Sequence, residues 1–456
     1  MIRFNRSAGS FALNSPRLAL VLALAGSVLC LNAGALAQNG RLRDRIAERM
    51  GQKQDQKQEQ DAKGDIKIAE AMVAEGVSAE QRKLFDASAD YSAKLAGRAV
   101  LVQHKGQTLY QRYDNNWKAE MPHPLASGTK SFTGVAAMIA VQEGLLTLDE
   151  RACLTISEWK DDPVKSQITV RNLLELSSGL QPDSNPGARK GSARLGDGGK
   201  PGFAGAIDRT GRDDWFGQAV AAPMTGKPGE QFAYGGNHFY AFGELLQRKL
   251  KAKGYKGTVW DWYSEKIFNP IGMKVGFVGK DKKGNANLPG GCGLSAREWV
   301  KFGQLMLNQG SWTNEKGEKV TVIKPELLAE CFKSSANNPS YGLTWWLLRS
   351  GDTTSSVADG IGREGISEAL KRRNFDQQSK PLTTPDGKTI EVYMAAGLGK
   401  QRLYVLPQFD LVVVRFAENT SAGARFDNRA FVEPILKAVA PEVFVEKKTG
   451  EGEKKR

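Results

Sequence analysis

Apolar positions along this chain switch between a period of two and a period near 3.6, and the switches delimit its elements. Residues 97–113 (GRAVLVQHKGQTLYQRY) alternate on either side of Lys105-Gly106, which predicts a β-hairpin turning at that pair. Residues 131–143 are apolar on nearly every face and stop at Gly144, predicting a largely buried helix. Helical spacing also marks 170–176, 239–250, 259–268, 296–308, 325–332 and 424–440. Residues 341–348 and 393–416 are strand-like, the second ending in Leu411-Val-Val-Val-Arg-Phe416. Strands near both chain ends with helices between them predict an α+β class: an antiparallel sheet closed by both termini, flanked by helices, with a helical insertion. The Gly/Arg/Asp-rich stretch 183–205 reads as an exposed loop, and 351–390 as a polar inserted loop of the kind that covers sites.

The two ends have a different character. Arg3, Arg6 and Arg17 precede the apolar run 18–31, and Ala35-Leu36-Ala37 follows as a small-x-small cleavage site. That layout predicts a signal peptide over 1–37, a mature start at Gln38, and a secreted, periplasmic protein. Residues 38–67 are Gln-rich and charged and predict a solvated linker; 446–456 predict a charged tail. The folded domain is therefore expected over 68–445. No later apolar run has the roughly 18 residues of a membrane span, so no transmembrane segment is expected in the mature chain.

Charge adds little. The formal net charge is +14, and removal of the three leader arginines leaves +11. Basic and acidic residues are interspersed, and no tract interleaves Lys/Arg with aromatics, which argues against a nucleic-acid partner. Loss of Cys30 with the leader leaves Cys153, Cys292 and Cys331, enough for one disulfide and a free thiol, with the pairing open. No Cys/His cluster has zinc-ligand spacing, so neither metal nor cofactor is expected.

The chemistry concentrates at Ser127-Gly-Thr-Lys130, at the head of the 131–143 helix. Residues at i and i+3 of a helix are neighbours, so the Lys130 amine can reach the Ser127 hydroxyl. A serine hydroxyl needs an adjacent base to act as a nucleophile, and a lysine becomes one when burial lowers its pKa. A Ser-His-Asp triad fits poorly: only His104, His123 and His238 occur, and no G-x-S-x-G elbow does. Tyr234, before Gly235-Gly236, is placed to project a phenol into a cleft and to pass protons between Ser127 and a leaving group. Asn237 and His238 follow as candidate supports. The bland reading of Ser-x-x-Lys is a helix cap beside a solvated lysine, and of Tyr-Gly-Gly a loop anchor; each gains weight from the other.

Taken in order, several segments resemble the serine β-lactamase-related family, which includes class C β-lactamases, D-Ala-D-Ala peptidases, esterases and aminohexanoate-oligomer hydrolases. They are Ser127-Gly-Thr-Lys-Ser-Phe-Thr-Gly, Ile168-Thr-Val-Arg-Asn-Leu-Leu-Glu-Leu-Ser-Ser-Gly-Leu180, Pro228-Gly-Glu-Gln-Phe-Ala-Tyr234, Gly290-Gly-Cys-Gly-Leu-Ser-Ala-Arg297, Tyr341-Gly-Leu-Thr-Trp-Trp346 and Gly397-Leu-Gly-Lys-Gln401. The resemblance runs from about residue 95 to 440. The Trp-Trp and Gly-Lys-Gln segments look most like the esterase and aminohexanoate-hydrolase branch. It implies a β-lactamase/transpeptidase-like fold, Ser127 as nucleophile, Lys130 as its base and Tyr234 as catalytic tyrosine. It also implies that the Leu398 N–H, between Gly397 and Gly399, joins that of Ser127 in an oxyanion hole.

Two departures stand out. Where the family often has Tyr-x-Asn, this chain has Gly236, with Asn237 one position later. The third motif, Lys-Thr-Gly or His-x-Gly in the family, lacks its leading basic residue, since the strand reads Met394-Ala-Ala-Gly397. Lys448-Thr-Gly450 matches the motif in letters but lies in the charged tail. The expected activity is hydrolysis of a small-molecule or peptide ester or amide through a serine acyl-enzyme. A β-lactamase or D-Ala-D-Ala carboxypeptidase, and a non-catalytic binding protein on the same scaffold, are the alternatives.

Overall fold

The computed structural model describes residues 66–182, 213–348, 381–420 and 425–444, all within one compact unit that begins at Asp65. The expected signal peptide and linker up to residue 65, the 183–205 stretch, residues 351–380 of the polar segment and the tail from 446 lie outside the described residues.

A seven-stranded antiparallel sheet forms the centre. Its strands are β1 (Met72–Val73), β2 (Gly97–His104), β3 (Gln107–Arg112), β4 (Trp346–Leu348), β5 (Val392–Gly397), β6 (Gln401–Leu406) and β7 (Leu411–Ala417), in the order β1-β3-β2-β7-β6-β5-β4. The β2–β3 hairpin turns at Lys105-Gly106 as its alternation predicts, both residues having positive φ. The strand-like stretch 393–416 resolves into three strands. A turn at 398–400 separates β5 from β6, and Pro407–Phe409 separates β6 from β7. The end strands of the chain meet in the middle: β7 pairs with β2, Val413 opposite Val102.

Each face of the sheet is covered by helices. On one lie α1 (Ala79–Lys94) and α9 (Asn428–Val439), joined where the Ser88 hydroxyl donates to the Phe431 carbonyl at 2.8 Å. On the other lies α7 (Ala296–Leu307), whose Gly303 abuts Val412 and Leu403 and whose Trp299 stacks on Phe416 at 5.5 Å. The predicted buried helix is α2 (Lys130–Gln142), with Gly144 at φ +66° just beyond its end. The helical insertion includes α3 (Val170–Leu174), α4 (Trp215–Ala221), α5 (Asn237–Ala252) and α6 (Val259–Tyr263), the last extended by a π turn over Ser264–Phe268. Then α8 (Pro325–Glu330) starts on a proline at its first position, where no intrahelical donor is lost.

Two expectations need correction, and the open question of the cysteines is answered. Residues 341–348 are not one strand: Thr344 takes φ +68°, Tyr341 bridges back to Trp346, and only Trp346–Leu348 joins the sheet. Of the polar 351–390 segment only 381–390 is described, and it is not loop, because Leu382–Thr383 and Thr389–Ile390 pair around a turn at Gly387. Cys153, Cys292 and Cys331 are all free thiols, so no disulfide forms among them. Burial pushes the Cys292 and Cys331 thiols well up from their ordinary value, which makes them inert small hydrophobes. No helix among the described residues is long and apolar enough to cross a membrane.

Candidate active site

Ser127 lies in a single 3-10 turn, Ala126–Thr129, that feeds directly into α2. Ala126 enters it at φ +47°, a left-handed conformation costing a non-glycine residue about 1–2 kcal/mol. Surrounding bonds hold this strain in place. Leu125 N donates to Cys292 O at 2.9 Å, the Thr129 hydroxyl donates to Ala126 O at 2.8 Å, and Cys292 N donates back to that hydroxyl at 3.2 Å. Gly128 admits the Trp299 ring against the turn, where a Cβ would be crowded out.

Lys130 is the first residue of α2 and only 6% exposed. Its Nζ is 3.1 Å from Ser127 Oγ and 2.8 Å from the Pro289 carbonyl oxygen. The same nitrogen sits 4.9 Å from the Tyr234 ring centroid and 5.2 Å from that of Phe239. The three residues singled out in the sequence thus converge on one nitrogen atom. The first turn of α2 carries no acidic residue, and the positive end of the helix dipole lies beside Ser127.

Tyr234 belongs to a wall of rings, 5.8 Å from Trp346 and 6.4 Å from Phe232. That wall is tied to α2. Gly134 N donates to Thr344 Oγ1 at 3.0 Å and the Ser131 hydroxyl donates to Thr344 O at 3.2 Å. The contact needs a glycine, because a Cβ at residue 134 would collide with the Leu343 carbonyl.

Asn237 and His238 act on the loop around Tyr234. The Asn237 amide donates to Gln181 O at 2.8 Å, securing the edge of the insertion. His238 is fully buried, with Nε2 2.7 Å from Ala233 O and Nδ1 2.8 Å from the Ser178 hydroxyl. Since a carbonyl can only accept, Nε2 carries the proton and Nδ1 accepts from Ser178, which fixes the tautomer. His123, stacked 4.9 Å from Phe416, is held down to about 4 by burial.

The turn after β5 meets the Ser127 turn at one point. Gly397, the last residue of β5, packs on the Leu125 carbonyl so closely that any side chain there would collide with it. Leu398 follows with its side chain 57% exposed, Gly399 has φ +76° and Lys400 φ +63°. The Lys400 ammonium does not replace the missing motif cation: it is buried near Arg402 and Arg415, and burial plus their charge bring it down to about 8. Sequence reasoning missed the Pro289 carbonyl and Phe239, although the Pro289-Gly290-Gly291 run marks a tight turn.

An antiparallel sheet with a Ser-x-x-Lys turn at the head of a buried helix defines a class of protein, and comparison with known families agrees. The Beta-lactamase family model matches residues 42–428, and the chain belongs to that family. Among individual proteins, it is similar to Protein flp of Staphylococcus aureus strain COL, 26% identical over 180 residues. That match covers 37% of this chain and only 33% of the relative, about a third of its length. A Bacillus anthracis structure described as a 6-aminohexanoate-dimer hydrolase superposes with a TM-score of 0.53 at 19% identity, covering 80% of this chain and 82% of its own. A structure from Bacteroides dorei DSM 17855, described as a β-lactamase, gives 0.53 at 17% identity, covering 79% and 98%. At such identities the structural likeness shows the fold.

Proposed function

We propose that this chain is a secreted serine hydrolase that cleaves an ester or non-lactam amide through an acyl-enzyme on Ser127. The observation that carries the reading is the Lys130 amine, bonded at 3.1 Å to Ser127 Oγ and at 2.8 Å to Pro289 O. In the role of base, Lys130 donates one N–H to the Pro289 carbonyl and turns its lone pair toward the serine hydroxyl. The serine proton passes to Nζ as Oγ bonds to the substrate carbonyl carbon. Charge on the tetrahedral oxygen is met by the N–H groups of Ser127 and Leu398, the donor pair that acyl transfer requires. The carbon–leaving-group bond then breaks, and the leaving group takes a proton by way of Tyr234. Water attacks the acyl-enzyme with the proton route reversed, freeing Ser127.

Preference for esters and non-lactam amides is supported by β5, which offers Met394-Ala-Ala-Gly397 where a carboxylate-binding lysine would stand, and by the burial of Lys400. The ring wall of Tyr234 and Trp346 and the exposed Leu398 suit an uncharged, partly apolar acyl group. The test is a direct contest of substrates: a p-nitrophenyl ester against a chromogenic cephalosporin. Steady turnover of the ester, with at most slow acylation by the cephalosporin, is expected. Faster cephalosporin turnover would replace this reading with a β-lactamase.

A further inference from the structure

Every carbonyl along the third-motif turn but one is held by a buried side chain that no reaction step uses. Arg402 Nη1 donates to Gly397 O at 3.3 Å and to Gln401 O at 2.9 Å. Gln401 Nε2 donates to Leu398 O at 3.1 Å and to Ala417 O at 2.6 Å, while its Oε1 accepts from Ala417 N at 2.9 Å. Arg415 Nη1 donates to Lys400 O at 3.0 Å. All three side chains are buried, at most 1% exposed. Neither guanidinium meets a carboxylate among the described residues. Arg402 Nε turns to Asn428 Oδ1, and Arg415 is spent on Ser92 Oγ of α1, on Leu95 O just beyond it and on the face of Phe426.

A peptide unit is planar and trans, so its C=O and N–H point in opposite directions. The carbonyl of Gly397 and the N–H of Leu398 belong to one such unit. Arg402, from the α1/α9 side of the sheet, pulls that carbonyl toward itself and thereby aims the Leu398 N–H the other way. Its positive charge also polarises the unit, which strengthens the N–H as a donor. Gln401 does the same for the next unit, whose N–H is that of Gly399.

We infer that Arg402, seconded by Gln401, is a positioning residue that aims and polarises the peptide supplying the Leu398 oxyanion donor. The inference rests on the acyl-enzyme reading given above. A merely structural role for these side chains would lower stability without a selective loss in the chemical step. A positioning role lowers kcat and leaves substrate binding nearly intact, because the oxyanion forms only in the transition state.

The experiment compares Arg402→Lys, Arg402→Met and Gln401→Met with the wild type. It measures kcat and KM on a p-nitrophenyl ester, the rate of Ser127 phosphonylation by a fluorophosphonate, and the melting temperature by circular dichroism. Ile435→Ala, a cavity variant in α9, serves as a control for lost stability. Removing an oxyanion donor costs about 10²–10³ in kcat, so Arg402→Met should lose about 10²-fold with KM within about threefold. Arg402→Lys keeps the charge and should recover part of that loss, whereas Gln401→Met should lose about tenfold. Phosphonylation rates should fall in the same order, and Ile435→Ala should melt earlier with kcat unchanged. Should Arg402→Met fail to fold, Gln401→Met decides. Wild-type kcat in folded Arg402→Met, or in folded Gln401→Met where Arg402→Met does not fold, with Ser127 of the wild type labelled normally, overturns this inference alone. Absence of label on wild-type Ser127 overturns the acyl-enzyme reading and this inference with it.

Discussion

The two turns that meet at the site are built in opposite ways. The Ser127 turn, Ala126–Thr129, brings together a hydroxyl and an amine three residues apart and is held mainly by backbone groups and one threonine hydroxyl. The turn after β5 is held by long side chains, Gln401, Arg402 and Arg415, whose other contacts reach Asn428, Ser92 and Leu95. In the first turn the proposed chemistry is local. In the second, an exposed peptide is held by side chains of the next strand whose own anchors, Asn428 and Ala417, lie further along the chain, so substitutions outside the turn should reach it.

Breaking the first turn should have the largest effect. Ser127→Ala should lower kcat by about three or more orders of magnitude with the fold retained, and Lys130→Ala should come close to it. Steady-state ester hydrolysis beside circular dichroism checks both, and wild-type activity in Ser127→Ala would end the comparison. Gly397→Ala, which forces the two turns apart at the Leu125 carbonyl, should cost about 10²-fold in kcat. An unaltered rate there would mean that the turns need not touch. His238→Ala removes bonds to Ala233 O and Ser178 Oγ and should reduce kcat by only about tenfold, through slack in the loop that carries Tyr234. A loss equal to that of Lys130→Ala would promote His238 from support to reactant.

The smallest effect concerns the second turn and pH. Lys400 titrates near 8 in the folded protein against 10.5 ordinarily, so between those values the unfolded chain binds more protons than the folded one. The penalty of the buried ammonium is therefore fully present below about pH 8 and is relieved as pH rises toward 10.5. Lys400→Met should melt higher than the wild type at pH 7, with the difference shrinking by pH 10. Thermal melts across that range would show it, and equal melting temperatures at pH 7 would mean that the ammonium carries no penalty.

The same contrast explains what the amino-acid sequence made legible. Alternation around Lys105-Gly106 placed a hairpin, and the apolar run after Lys130 placed α2, because both depend on nearest neighbours in the chain. That Ser127, Lys130 and Tyr234 come together was legible because their spacing and flanking glycines are local features of the chain. Residues 79–94 went unread as a helix: α1 has a capping box at Ser78 and Gln81, but small residues such as Ser88, Ala89 and Ser92 line its buried face. The 341–348 segment was misread because its apolar character serves a bent loop locked to α2 by Thr344. Arg402 and Arg415 look like ordinary strand charges until the fold buries them under α1 and α9. The Pro289 carbonyl had no side-chain signature at all.

The most direct test of the central claim is a mass-spectrometric map of the residue modified by a generic fluorophosphonate on the intact protein. The account predicts a single adduct on Ser127, lost in Ser127→Ala and slowed in Lys130→Ala. An adduct on another residue, or none on a protein that hydrolyses esters, would contradict it.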